Sequence, residues 1–385
     1  MDRRDFLKTC GRCAACLAAS QVPAALHPKF LPSLRAEQRR LVPEKGFIQP
    51  KVSPYFESLG EGGVRCALCP RLCEMEPGGR GYCEVRENQD GELVSLTWAN
   101  PCAVNVDPIE KKPFFHVLPA TRSFSLATAG CNMDCKFCQN WEISQAEPDE
   151  TLNYDLPPEM AASAALHYGC RSIASTYVEP AIFIEYMQAL GQAARPLGLL
   201  NVMHSNGFVN ERPLAELCEH LDAACIDLKG FNEKYYETMT EGRLQPVLDT
   251  LKRLKAFGVF TELVTLIVPG RNDDPEEMKA QAAWIAEELS PGTPLHLSRF
   301  YPRYKLKSLP PTPERTLHKL RETAMAEGLE FVYVGNTPGT EAENTFCPEC
   351  GTLLIKRRGY ATQVKALERG CCEHCGREIP GIWTT

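Results

Sequence analysis

Ser123-Phe-Ser-Leu-Ala-Thr128 runs directly into Ala129-Gly-Cys-Asn-Met-Asp-Cys-Lys-Phe-Cys-Gln-Asn140, and this junction decides how the rest of the chain is read. The first six residues form an apolar, strand-like run. The loop after them carries Cys131, Cys135 and Cys138 at C-x3-C-x2-C spacing. Three thiolates on one short loop can hold three corners of a cubane, and a [4Fe-4S] cluster normally takes four cysteines, so one iron is left open to a small molecule. Structural zinc takes four ligands, usually as two C-x2-C pairs, and the unequal gaps here fit that poorly.

Outward from this loop, strand and helix patterns alternate. Strands are expected at residues 123–128, 172–177, 199–204, 223–228, 260–268 and 295–300, with a last one at 330–334. Helices are expected at residues 157–168, 181–194, 213–220, 244–257, 275–289 and 314–327. Six βα units in series predict an α/β fold with a parallel sheet closed or half closed into a barrel. In such a barrel the loops leaving the C-terminal strand ends form the site. Here those ends are polar: Thr176-Tyr-Val-Glu-Pro180, His204-Ser-Asn-Gly207 and Cys225-Ile-Asp-Leu-Lys-Gly230.

Two further cysteine modules flank the barrel. Cys66, Cys69 and Cys73, with Cys83 after a Gly-Gly-Arg-Gly turn, offer four thiolates, enough for a second cluster or a zinc site. At the other end, Cys347 and Cys350 form one C-x2-C-G knuckle and Cys372 and Cys375 a second, which predicts a zinc ribbon and leaves Cys371 spare. The domain layout expected is a leader and linker at 1–50, a Cys-rich module at 51–118, the barrel at 119–340 and the ribbon-like module at 341–385.

The chain has 385 residues, 44% apolar and 24% charged, which places it among ordinary globular proteins. A formal net charge of -7 argues against a nucleic-acid partner held by phosphate contacts. Nineteen cysteines in short-spaced sets read as metal ligation more readily than as a disulfide framework. No uncharged apolar run approaches the roughly 18 residues that span a bilayer. Met1-Asp-Arg-Arg-Asp-Phe-Leu-Lys8 resembles a twin-arginine export signal, so both a cytoplasmic protein with a basic leader and a periplasmic one stay open. Asp107-Pro-Ile-Glu-Lys-Lys-Pro-Phe-Phe-His116 is expected to be a solvated loop. His116, His167, His296 and His318 are singletons, expected to be packed or exposed rather than ligating.

With Phe137 just before its last cysteine, the loop resembles the cluster loop of radical S-adenosylmethionine (SAM) enzymes. The resemblance implies an open six-unit partial TIM barrel in which the free iron chelates SAM. Reductive cleavage of SAM would then give a 5'-deoxyadenosyl radical that takes hydrogen from an unknown substrate, with a low-potential flavodoxin or ferredoxin as donor. Glu179 stands where these enzymes place an acidic residue toward the SAM ammonium. His204-Ser-Asn-Gly207 and Ile226-Asp-Leu-Lys229 resemble Asp-Thr-Asn-Gly and Leu-Asp-Leu-Lys of pyruvate formate-lyase activating enzymes, which implies Asn206, Asp227 and Lys229 as SAM contacts. His204 and Tyr301 depart from that pattern. Arg65-Cys-Ala-Leu-Cys-Pro70, Gly79-Arg-Gly-Tyr-Cys83, residues 105–113, Gln139-Asn-Trp-Glu-Ile-Ser144 and the terminal cysteine pairs together resemble the AmmeMemoRadiSam-system radical SAM proteins. A glycyl-radical activase, an oxidoreductase of the activating-enzyme type, is one form this activity takes. The competing expectation is a non-catalytic iron-sulfur or zinc protein serving electron transfer or assembly.

Overall fold

Strand Arg122–Ala127 buries five of its six residues, as a strand covered on both faces must. It lies in an eight-stranded sheet in a computed structural model that describes residues 42–384. The sheet starts with β1 (Ala103–Pro108) and β2 (Arg122–Ala127), which pair antiparallel from Ala103 opposite Ala127 to Pro108 opposite Arg122. Parallel strands follow as β3 (Ser172–Ser175), β4 (Leu200–Ser205), β5 (Ala223–Asp227), β6 (Phe260–Ile267), β7 (Leu295–Arg299) and β8 (Val332–Gly335). Spatial order follows chain order, with β1 and β8 as the two edges, so the barrel is open.

Six helices make the crossovers: α1 (Pro158–His167), α2 (Ile184–Ala194), α3 (Glu211–Cys218), α4 (Leu244–Ala256), α5 (Pro275–Trp284) and α6 (Glu314–Ala326). Local chemistry sets their ends. Proline opens α1 and α5, where its fixed φ costs no hydrogen bond, and the Asp274 side chain accepts from Glu276 N–H at the start of α5. Arg253 and Lys255 fall in the last turn of α4, next to its negative dipole end. The open α/β barrel expected from the βα series is the fold observed, and β1 is an added antiparallel strand.

The two faces of the sheet have separate cores. On the convex face Ile173, Met203, Ile226, Leu263 and Leu297 pack with Leu190, Leu214, Leu251 and Leu320 of the helices. On the concave face Ala174, Val202, Ala223, Cys225 and Val264 pack against Ile109, Phe114, Val117 and Leu118. The segment over residues 107–116, expected to be a solvated loop, is instead buried in this concavity. Half a barrel leaves its inner face uncovered, and this apolar stretch fills the floor.

Polar groups in the plug are paired. Glu262, fully buried on β6, accepts the backbone N–H groups of Phe115 (3.0 Å) and His116 (2.8 Å) and faces His296 Nε2 at 2.7 Å. Burial would raise its carboxyl, and the His296 hydrogen bond more than reverses this, so Glu262 stays below the usual glutamate range. His116 sits between the Tyr333 hydroxyl and the Pro380 carbonyl, both 2.6 Å away, and burial lowers it to about 4. His116 and His296 are thus packed, as expected of singletons.

Ahead of β1 lie two small antiparallel sheets, one from Phe56–Gly60, Gly63–Cys66 and Glu74–Met75, the other from Lys51–Val52, Arg86–Gln89 and Glu92–Ser95. After β8, Thr345–Phe346, Leu353–Arg358 and Ala361–Val364 make a third, tied to the plug by Arg357 Nη2 donating to the Phe115 carbonyl at 2.7 Å. The twin-arginine-like stretch lies outside the described residues, among which no helix is long and apolar enough to cross a membrane.

Replacing Glu262 with Leu strands two backbone N–H groups and the His296 donor in the core. It should cost about 3–5 kcal/mol, read as a lower denaturant midpoint for unfolding.

Candidate functional site

The cysteine loop leaves the C-terminal end of β2 and is pinned on several sides. Gly130 N–H donates to the Ile143 carbonyl (2.9 Å), Asp134 N–H to Thr240 (3.1 Å) and Lys136 N–H to Met239 (3.0 Å). Arg71 Nε donates to the Asn132 carbonyl at 2.6 Å. Gly130 has φ +88°, and a Cβ there would stand 2.4 Å from the Cys83 carbonyl oxygen and 2.6 Å from Val85. Only glycine allows the loop to pass this close.

Cys135 is buried and Cys131 and Cys138 are partly so. Burial pushes all three thiols up, Cys135 to about 12; Cys135 and Cys138 raise Cys131 further, and Cys138 raises Cys135. Working the other way, backbone hydrogen bonds from Met133 and Asn140 favour the thiolates of Cys131 and Cys138, Ser144 Oγ lies 3.2 Å from Cys138 Sγ, and Lys229 favours the Cys135 thiolate. Three buried thiols that resist ionising alone yet are met by hydrogen-bond donors fit a cationic iron-sulfur core, which takes thiolates and releases their protons.

Three strand ends meet the loop. Glu179 follows β3 and is 2% exposed. It accepts from Ala181 N–H (2.9 Å), Ser205 Oγ (2.7 Å) and Asn206 N–H (2.7 Å). The first of these bonds caps the turn Pro180–Phe183, so Glu179 also serves its own loop. Burial raises its carboxyl despite the three donors. Asn206, just past β4, donates through Nδ2 to Asn132 Oδ1 of the cysteine loop at 2.8 Å. At the end of β5, Asp227 lies 2.9 Å from both His204 Nε2 and Lys229 Nζ. Burial would raise Asp227, but the Lys229 and His204 charges more than offset it and hold it well below the carboxylate range. Lys229 Nζ also sits 5.7 Å from the Phe137 ring centroid. Glu179, Asn206, Asp227 and Lys229 are therefore gathered on one rim with the loop. Tyr301 is half exposed beyond β7, with its hydroxyl on the Asn336 carbonyl at 3.2 Å.

Below this rim is a second polar layer, drawn from the segment expected to be a solvated loop. Asp107 accepts from Lys111 Nζ (2.8 Å), Lys112 Nζ (2.6 Å) and the Tyr177 hydroxyl. Burial brings Lys112 down to about 8 although Asp107 acts in the other direction. The signal was the cluster of charges just before Phe114 and Phe115, residues that the plug buries. Ser205 and Asn132, which hold Glu179 and Asn206, had no signal of their own.

The C-terminal cysteines Cys347, Cys350, Cys372 and Cys375 place their sulfurs within 4.8 Å of one another. Cys347 and Cys375 are 3.5 Å apart and Cys350 and Cys372 3.7 Å. A tetrahedral ion with metal-sulfur bonds of about 2.3 Å sets its sulfurs about 3.8 Å apart, so this quartet is compatible with a zinc ribbon. Cys371 is not part of it. Cys66, Cys69, Cys73 and Cys83 line a separate cavity.

An open barrel whose first parallel strand ends in a three-cysteine loop defines a radical SAM architecture, and residues 125–282 match the radical SAM superfamily. An uncharacterized protein of Methanocaldococcus jannaschii is 43% identical over 327 residues, covering 84% of this chain and 97% of its own. The chain belongs to the radical SAM superfamily. The fold is similar to that of a domain of a pyruvate-formate lyase-activating enzyme from Bacteroides vulgatus, at 14% identity and TM-score 0.39 over 43% of this chain and 99% of that one. It is also similar to a radical SAM methyltransferase from Sphaerobacter thermophilus, at 13% identity and TM-score 0.46 over 78% and 80% of the two chains. SuiB of Streptococcus suis bound to S-adenosylmethionine is similar at 12% identity and TM-score 0.44, over 62% and 56%. Membership of the radical SAM superfamily makes a [4Fe-4S] cluster and SAM the cofactors of this chain.

Substituting Gly130 with Ala should destabilise the fold by about 3 kcal/mol or more, because the left-handed backbone and the Cys83 clash add. The check is a lower unfolding midpoint together with reduced iron per chain after anaerobic purification.

Proposed function

We propose that Cys131, Cys135 and Cys138 ligate the [4Fe-4S] cluster and that SAM lies across the rim formed by Glu179, Asn206, Asp227 and Lys229. The observation that carries this reading is the convergence of three buried thiols with the polar ends of β3, β4 and β5. When bound, the cluster supplies one electron to SAM, whose cleavage yields methionine and a 5'-deoxyadenosyl radical for hydrogen abstraction.

The chain's own residues bind and orient. Glu179, immobilised by three donors, presents a carboxylate to the SAM ammonium, a charge-assisted contact in a buried setting. Lys229 faces the SAM carboxylate, and Asp227 keeps Lys229 charged and aimed. Asn206 couples this rim to the cysteine loop through Asn132. The substrate is placed at this rim, beside His204 and Asp227. A backbone glycine of a partner protein is the substrate class that the activating-enzyme-like segments at residues 204–207 and 226–229 support. A low-potential flavodoxin or ferredoxin supplies the electron.

Anaerobic EPR of the reduced protein should change on adding SAM, and 5'-deoxyadenosine should accumulate; Cys135→Ala should abolish both. An unchanged spectrum with no nucleoside would instead fit a fully ligated electron carrier. We also assign the C-terminal quartet to zinc, so Cys350→Ser should lower zinc by about one per chain while leaving iron unchanged, measured by elemental analysis.

A further inference from the structure

We propose that Cys66, Cys69, Cys73 and Cys83 bind a second [4Fe-4S] cluster, ligated at all four corners, through which electrons enter the barrel. All four thiols line one cavity, and all four are free. Each sulfur is met by a backbone N–H. Hydrogen bonds from Leu68, Arg71 and Val85 favour the thiolates of Cys66, Cys69 and Cys83, and Tyr82 N–H lies 3.5 Å from Cys73 Sγ. Hydrogen bonds of this kind tune cluster sulfurs.

Spacing separates this quartet from the ribbon. Among the described residues the ribbon sulfurs draw within 4.8 Å of one another, and the Cys66 quartet does not form such a set. A cubane, whose thiolates bind different irons, holds them further apart than a single ion does. Gly81 lines the same cavity beside Cys73. Arg71 and the 1%-exposed Arg86 line the same cavity, Arg86 with its charge paired to Glu185.

Placement gives the role. Four protein ligands leave no open iron, so this cluster transfers electrons without binding SAM. The Cys83 carbonyl packs against Gly130, and Asn132, next to Cys131, lines the cavity itself. The two cysteine sets therefore share a wall. On the outer side Leu72 and Tyr82 are exposed beside the ligands, a face that a donor protein can reach. A reduced flavodoxin or ferredoxin loses one electron, the outer cluster passes from the 2+ to the 1+ state and back, and the inner cluster gains that electron; no bond or proton moves. This relay rests on the radical SAM reading above, whereas the metal site does not.

The test is iron, sulfide and zinc analysis with EPR on the full anaerobic chain and on Cys69→Ser and Cys73→Ser. The proposal expects about eight irons per chain and two reduced signals, of which SAM shifts one. The variants should lose about half the iron, the SAM-insensitive signal only, and at least ten-fold of the 5'-deoxyadenosine rate with a reduced flavodoxin but little with titanium(III) citrate. About four irons with extra zinc, or with no extra metal, in the unmutated chain overturns the second cluster without depending on any variant folding. Equal loss with both reductants, at half iron and with the SAM-sensitive signal kept, overturns the relay. Loss of SAM sensitivity alone, with eight irons present, refutes the SAM site and leaves this cluster standing.

Discussion

Thiols buried close together resist becoming thiolates, and the loop at residues 131–138 is built around that resistance. Burial sets most of the cost, and the thiolates of Cys135 and Cys138 add to it at Cys131. Such a loop persists only if its backbone is fixed by bonds that do not depend on the sulfurs. Here these are the bonds to Met239, Thr240 and Ile143, together with the close passage of Gly130 over Cys83. The loop is thus held in place before any iron enters. A cationic core then gains the full electrostatic benefit of three preplaced thiolates.

The same economy governs the polar lumen, where charges occur in compensated groups. Asp107 holds Lys111 and Lys112 and Asp227 holds Lys229 and His204; outside the barrel, Glu185 of α2 holds the buried Arg86 of the N-terminal module at 2.6 Å. Buried ion pairs seldom add net stability over a packed apolar core of equal volume. They do fix direction. Lys229 cannot swing away from the rim while Asp227 binds it, and Glu179 cannot rotate while Ser205, Asn206 and Ala181 donate to it. Stability for the barrel comes instead from the two apolar faces, the helices outside and the 109–118 plug inside.

What could be read from the chain follows from how local each signal is. The βα alternation depends on short-range periodicity and on proline at helix starts, and it reproduced the parallel sheet. β1 and the plug were not legible for the opposite reason. Residues 107–116 hold four charges among their ten, and only a tertiary feature, an unfilled half-barrel, makes their burial favourable. The rim residues were visible because strand ends are points of known geometry in a parallel barrel. Their supporting groups, Ser205 and Asn132, were hidden because a serine or asparagine means little until its partner is known.

The N-terminal cysteine module has a larger part than its distance along the chain suggests. Arg71 grips the Asn132 carbonyl, Asn210 N–H and Nδ2 bind the Leu68 and Ala67 carbonyls, and Arg86 binds Glu185 and the Ile182 carbonyl. These contacts reach the cysteine loop, the segment after Asn206 and the turn after Glu179, the same three places that shape the polar rim. Any metal that rigidifies residues 66–83 therefore also stiffens the rim. A metal bound by these four thiolates would add its binding free energy to the folding of the module, whose Tyr55, Val64, Leu68, Val85 and Leu93 already pack into the main core. The barrel supplies the strand ends, but the position of the loop between β2 and residue 141 depends on this outer module being folded against it.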